Sequence, residues 1–203
     1  MPLVFKPVPS RIEQTIKKRL EKMSSKKAYS TPRLKKAILK EPEILPTPTQ
    51  AMPVYILGLK NLAEKGDIKS AELKSWRYLI KQKEEVVATA DAIFDRNNNP
   101  VFSHTNEGPL VQGVVKAIDT ANSDNKITKG QYEIRILMIP AIHVVALWLV
   151  DLENKEDIAI PIEPNPKPII PNEVIPIDKL MKTVQEIAKL SLSAYKRDPT
   201  LVG

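Results

Sequence analysis

The sequence predicts an α+β fold, a mainly antiparallel sheet with helices packed on it, preceded by a basic and largely extended N-terminal arm. Segments with a two-residue apolar period indicate strands, and stripes with a helical period indicate helices. The two kinds of segment do not alternate strictly, which favours an antiparallel sheet over repeated parallel units. Lysine, arginine and proline are concentrated in the first fifty residues, which separates that part from the rest.

The longest apolar run, Tyr132–Val150, is expected to form the middle of the core. Its first residues alternate apolar and charged side chains, as a half-buried strand does. Pro140 cannot donate a ladder hydrogen bond, so it should mark a bulge or a break between two strand segments. Its apolar part, Ile136–Val150, is too short for a membrane helix, which needs about 20 apolar residues, and Pro140 and His143 interrupt it. A buried helix over Ala141–Val150 is the alternative, but the branched and aromatic composition favours strand.

Further strands are predicted on both sides of this run. Asn97, Asn98 and Asn99 tolerate the left-handed backbone of a tight reversal, so the flanking segments should form a hairpin. The predicted strands are Val54–Leu59, the second half of Ser70–Gln82, Glu85–Asp95, Pro100–His104 and Asp157–Ile162.

Residues 52–203 are interpreted as a single α+β domain, with a short helix or turn at Asn61–Glu64 and two longer helices. The first begins at Pro109, where Asn106 can cap it, and has an apolar stripe as far as Ala121. The second runs from about Asp178 to Lys196 and contains an amphipathic stripe. The proline-rich segment 163–176 between the central strands and this helix should follow an extended path along the domain surface.

Residues 1–51 are interpreted as a basic, proline-interrupted arm and linker. They contain twelve basic and four acidic residues, a net charge of +8, whereas the rest contains nineteen basic and twenty acidic residues, a net charge of −1. The spacing of apolar residues predicts a helix over Arg11–Met23, formed on a partner or against the main domain. Thr31 and Pro32 could open a second short helix through Leu39. A proline-rich linker, Glu41–Pro53, should follow.

Composition excludes several kinds of site. The chain has no cysteine, so disulfides, thiolate metal sites and cysteine nucleophiles are absent, and a reducing compartment is compatible. Its few glycines form neither a Walker loop nor a G-x-G-x-x-G motif. No secretory pattern is present at the start, so the expected location is cytoplasmic. No cofactor and no membrane span are expected.

The segment 103–108 is the one candidate for catalysis. It lies at a predicted strand-to-helix junction, where His104 could act as a base, with Glu107 and Asp91 beside it. The alternative is that Glu107 favours the start of a helix and His104 ends an edge strand, which is the commoner use of such residues. His143 lacks a ligand-spaced partner, so no metal site is predicted.

The basic residues are the strongest functional feature. Lysine and arginine neutralise phosphates, which produces salt-sensitive binding without sequence preference. We expect a non-enzymatic interaction module that docks to a protein partner, with the arm reaching along a larger assembly. Nucleic acid bound through the arm and a small enzyme at 103–108 are the alternatives. The residues expected to bind a partner or phosphate are Lys17, Lys18, Arg19, Lys26, Lys27, Lys35 and Lys36.

Overall fold

The computed structural model describes residues 3–25, 31–41, 43–153 and 155–197, with side chains as far as residue 194. Within these ranges the chain forms five α-helices and ten strands that pair mainly antiparallel, which confirms the predicted α+β class. The elements in chain order are β1 (Leu3–Val4), α1 (Ser10–Ser25), α2 (Pro32–Lys40), β2 (Thr47–Pro48), β3 (Met52–Ile56), α3 (Leu59–Lys65), β4 (Glu72–Gln82), β5 (Glu85–Phe94), β6 (Pro100–Asn106), α4 (Pro109–Ser123), β7 (Tyr132–Ile139), β8 (Val144–Asp151), β9 (Ile158–Ile162), β10 (Ile175–Pro176) and α5 (Ile177–Arg197). None of the helices in these ranges combines the length and the apolar character needed to cross a membrane.

The chain divides into two compact units, which are described separately. The basic unit consists of Phe5–Val54 and Lys74–Val115. Its sequence contains seventeen basic and nine acidic residues, a net charge of +8. The neutral unit consists of Met1–Val4, Tyr55–Leu73 and Lys116–Gly203, with fourteen basic and fifteen acidic residues, a net charge of −1. The excess positive charge of the chain therefore belongs to the basic unit.

The basic unit has a core in which α1 and α2 pack with strands β4 and β5. Strand β5 pairs antiparallel with both β4 and β6. The predicted reversal is present between β5 and β6, where Asp95 accepts hydrogen bonds from the backbone N–H groups of Asn97 and Asn99. The fully buried side chains of this core include Ile12, Ile16, Met23, Leu34, Tyr78 and Ile80.

The N-terminal segment differs from the largely extended arm that the sequence predicts. Its two helices lie where the sequence predicts them, and their inner faces, including Ile16 and Leu34, are buried. A helix places every third or fourth residue on one face. A few apolar residues at that spacing are therefore enough to bury the face against a core. The predicted boundary at residue 51 does not coincide with the division of the chain, because Phe5–Val54 and Lys74–Val115 form one compact unit.

The neutral unit is built on the central apolar run. The run forms β7 and β8, which pair antiparallel and are separated by a 3-10 turn at Pro140–Ile142, so the predicted break at Pro140 is confirmed. His143 ends this turn with φ of 52° and donates its N–H to the Pro140 carbonyl at 3.1 Å. Strand β9 pairs with β8 and β10 pairs with β9, while β1 pairs parallel with β7.

The same unit has its own core, formed by these strands with α3 and α5. The buried residues include Leu62 of α3, Leu137 of β7 and Val184 of α5. The indole N–H of Trp148 donates to the Asp157 carboxylate at 2.9 Å, which satisfies the polar end of this largely buried ring. The segment 163–176 contains no helix and ends in the short strand β10.

Candidate functional site

The basic residues singled out in the sequence lie on the outer faces of α1 and α2. Lys17 and Lys18 of α1 are exposed, as are Lys35 and Lys36 of α2. Each pair follows a buried residue of its helix, so the side chains are directed away from the core. Lys26 and Lys27 lie outside the described residues.

Most of the described lysines on these two helices form no ion pair with the described residues. The Lys17 ammonium pairs with the Glu13 carboxylate at 2.5 Å, one helical turn away. Five other exposed lysines on the two helices form no ion pair with the described part of the chain. These are Lys18, Lys22, Lys35, Lys36 and Lys40. An ammonium without a fixed partner is free to bind an external anion.

Arg19 is bound within the protein. Its guanidinium carbon lies 5.1 Å from the centre of the Phe102 ring, a cation–π distance. Its Nε atom is buried and has no hydrogen-bond partner among the described residues. Arg19 therefore contributes to packing between α1 and β6 and differs in this from the neighbouring lysines.

A cavity of about 560 Å³ lies beside α2 and contains both signs of charge. The backbone N–H of Arg33 donates to Glu107 Oε2 at 2.7 Å, and Arg33 Nη2 donates to Glu85 Oε1 at 2.7 Å. The hydrogen bond from Arg33, followed by its charge, lowers the pKa of Glu85. The first turn of α2 therefore already binds a carboxylate of the same chain, that of Glu107. The residues around the cavity are Pro32, Arg33, Lys36, Ala37, Lys40, Glu85, Val87 and Glu107.

Four basic residues of the two helices were missed by the sequence reasoning, which considered only runs of adjacent basic residues: Arg11 and Lys22 on α1, and Arg33 and Lys40 on α2. Arg33, Lys36 and Lys40 recur at intervals of three and four residues and therefore share one side of α2. Lys22 has the same relation to Lys18 on α1. Helical spacing is the signal that could have identified them.

Of the three catalytic candidates, His104 and Asp91 lie close to each other, and Glu107 accepts a hydrogen bond from α2. His104 Nε2 lies 3.8 Å from Asp91 Oδ2, and its Nδ1 lies 2.8 Å from Ser103 Oγ. Both Asp91 carboxylate oxygens, however, accept hydrogen bonds from Arg77, at 2.8 and 2.7 Å, in a buried ion pair. Glu107 is held by α2. A carboxylate committed to a buried arginine is poorly placed to accept a proton during catalysis.

The described part of the chain contains no group of three histidine, aspartate or glutamate side chains that could hold a metal ion. Comparisons of the chain with protein-family models, curated proteins and solved structures found no match.

Proposed function

We propose that the protein is a non-enzymatic binding module that contacts the phosphate backbone of a nucleic acid through the lysines on α1 and α2. One observation carries this proposal: Lys18, Lys22, Lys35, Lys36 and Lys40 are exposed and form no ion pair with the described residues, on helices fixed by a buried inner face, in the unit that carries the excess positive charge. Helices anchored in a core hold ammonium groups in a defined array. Such an array neutralises phosphates and releases their counterions.

The composition of this surface favours phosphate over an ordinary protein interface. Lysine is depleted at the centres of protein–protein interfaces, where aromatic residues and arginine are enriched. Neither α1 nor α2 contains an aromatic residue. Stacking on unpaired bases therefore has no support, and contacts to the backbone of a duplex are the binding mode that these side chains favour.

The proposal is tested by substitution, since deletion of α1 and α2 would remove core residues such as Ile16. The test variant replaces Lys18, Lys22, Lys36 and Lys40 with glutamine. Its affinity for a fluorescent DNA duplex is measured by anisotropy over a range of salt concentrations. Each lost phosphate contact should reduce the slope of log affinity against log salt by about 0.9, so the slope should fall by up to about 3.6.

The matched control makes the same change in charge on the neutral unit. It replaces Lys60, Lys69, Lys182 and Lys189 with glutamine, all of which are exposed. We expect this variant to keep most of the affinity and salt dependence. Equal losses in the two variants, or no duplex binding by the unaltered chain at low salt, would refute phosphate binding by α1 and α2.

A second candidate is an acidic protein partner, and two exposed leucines favour it. Leu39 of α2 is 53% exposed and Leu45, shortly after α2, is 47% exposed. Apolar groups beside lysines could form the centre of a protein interface. Leu39→Ser distinguishes the two candidates, because it should leave duplex affinity unchanged but weaken a protein complex by roughly tenfold or more if Leu39 is a central contact.

A further inference from the structure

The hairpin of β5 and β6 ends as a free two-stranded ribbon, residues 93–101, which we call the ribbon end. Strand β4 accompanies β5 only as far as Ala92, which pairs with Trp76, so beyond this point β6 is the only described neighbour of β5. Ile93 and Phe94 are successive strand residues and therefore point to opposite faces. Both are exposed, at 38% and 39%. Neither face of the ribbon end is therefore covered by the described residues.

The tip of the ribbon end contains polar side chains that are available to a partner. Arg96, Asn97 and Asn98 are exposed, and their side chains form no ion pair or hydrogen bond with the described residues. Asp95 differs, because its carboxylate accepts hydrogen bonds from the backbone N–H groups of Asn97 and Asn99, at 2.9 and 2.8 Å. The turn is held from within by this carboxylate, which leaves the three other side chains free to contact a ligand.

Helix α1 lies along β6 and adds cations beside the ribbon end. Thr15 Oγ1 is 3.4 Å from the Pro100 carbonyl oxygen, and one turn later the Arg19 guanidinium carbon is 5.1 Å from the centre of the Phe102 ring. The N-terminus of α1 is therefore directed toward the tip. Three exposed cations share this side of α1 with Thr15, at intervals of four, three and seven residues. They are Arg11, Lys18 and Lys22, and none forms an ion pair with the described residues.

The width of the ribbon end selects among the grooves of a nucleic acid duplex. Neighbouring strands lie about 4.8 Å apart before side chains are counted, so two strands do not fit a minor groove of about 6 Å. The major groove of B-form DNA is about 12 Å wide and admits a two-stranded ribbon. The major groove of an RNA duplex is too deep and narrow for side chains to read. These dimensions favour DNA over double-stranded RNA.

We propose that the ribbon end enters the major groove of B-form DNA, where Arg96, Asn97 and Asn98 form hydrogen bonds with the edges of the bases. Arginine pairs with the N7 and O6 acceptors of guanine, and asparagine pairs with the N7 acceptor and N6 donor of adenine. The cations on the adjoining side of α1 contact the phosphates that flank the groove. This inference rests on the proposed binding of duplex phosphates and adds to it the kind of duplex and the groove.

The test compares three duplexes of one mixed sequence, each two helical turns or about 20 base pairs long. They are ordinary DNA, the same DNA made with 7-deazapurines, which lack the N7 acceptor, and RNA. Affinity for the full chain is measured by fluorescence anisotropy at one low salt concentration. Every base pair presents one purine N7 in the major groove. We therefore expect deaza-DNA and RNA to bind roughly five- to 150-fold more weakly than ordinary DNA, the equivalent of one base-edge contact.

A ribbon variant with Arg96→Ala, Asn97→Ala and Asn98→Gly removes the three side chains and keeps Asp95. Asn98 has φ of 60°, which glycine adopts without strain, so the turn should be preserved. This variant should bind ordinary DNA about as weakly as the unaltered chain binds deaza-DNA, and should no longer distinguish the two DNAs. Lys83→Asn is the matched control, because it removes one charge from the turn at the other end of β5, where φ is 52°. It should leave the affinities for all three duplexes unchanged.

Three results would overturn the assignment to the DNA major groove. They are equal binding of ordinary and deaza-DNA by the unaltered chain, RNA binding at least as tight as DNA binding, and unchanged DNA affinity in the folded ribbon variant. If that variant does not fold, the three duplexes still decide the question with the unaltered chain. In each case a lower salt slope in the lysine variant would continue to support phosphate binding, whereas the absence of any duplex binding would refute both proposals.

Discussion

The substitution Ile16→Ala tests whether the N-terminal helices belong to the core of the basic unit. Ile16 is on the inner face of α1 and is fully buried. The substitution removes three carbons, and at about 0.8 kcal/mol for each buried carbon the lost transfer free energy is about 2.4 kcal/mol. The cavity that remains adds to this loss. We therefore expect the free energy of unfolding of the basic unit to fall by about 2.5 to 5 kcal/mol.

The two tryptophans of the chain allow the basic unit to be followed by itself. Trp76 is buried in the same core as Ile16, whereas Trp148 is in the core of the neutral unit. In a Trp148→Phe background, tryptophan fluorescence reports only on the surroundings of Trp76. Urea denaturation of this background protein, with and without Ile16→Ala, gives the difference in unfolding free energy from the shift in midpoint.

Lys18→Ala is the matched control, because it shortens an exposed side chain on the same helix. Its effect should stay within about 0.5 kcal/mol, as is usual for surface positions. A loss below about 0.5 kcal/mol for Ile16→Ala would mean that α1 does not contribute to the core. The N-terminal segment would then be the detached arm that its composition predicts.

Three further predictions concern single contacts. Arg77→Met should lower the free energy of unfolding by about 3 to 5 kcal/mol, because it leaves the Asp91 carboxylate buried and unpaired; adding Asp91→Leu should recover most of the loss. The hydrogen bond from the N–H of Asn99 lowers the pKa of Asp95, so the folded turn favours the charged carboxylate. Lowering the pH should therefore destabilise the turn after β5. The charged carboxylate stabilises the turn above its ordinary pKa, and this contribution is lost as the pH falls through the lower value of the folded state. Gly66→Ala should cost about 1 to 2 kcal/mol, because φ is 60° at this position and a β-carbon would lie 2.6 Å from a neighbouring side chain.

For the ion pair, urea denaturation gives the free energy of unfolding of the single and double variants. Equal losses of this free energy in the two variants would contradict the prediction. For the turn, the amide proton of Asn99 is followed by NMR, and a midpoint above that of an unfolded aspartate would contradict the sign. For Gly66, the control is Gly58→Ala, where no atom lies within 4 Å of the added carbon. Thermal unfolding should separate the two glycine variants.

Regular periodicity made most of the fold predictable from the sequence. Pro140 identified the break in the central run because a missing N–H is a property of the residue itself and does not depend on its neighbours. The two-residue strands, such as β1, could not be predicted, because they contain too few residues to show any period. Their backbone pairing depends on a partner strand distant in the sequence.

The position of the N-terminal segment was harder to predict than its helices. Net charge and proline content describe the whole segment, whereas burial depends on a few residues such as Ile16 and Leu34 that each helix aligns on one face. The ion pair between Asp91 and Arg77 was also not predictable from the sequence. The two residues are cross-strand neighbours only because of the register between β4 and β5, which the sequence does not specify.

The interleaved order of the two units has a consequence for folding on the ribosome. The basic unit uses no residue beyond Val115, so its interior can close while later parts of the chain are still being made. The neutral unit must wait for α5, whose Val184 and Ala188 complete its core. Until α5 has been synthesised, Leu62 of α3 lacks some of the side chains that bury it in the folded unit. We therefore expect nascent chains to acquire protease resistance in two steps, the basic unit first.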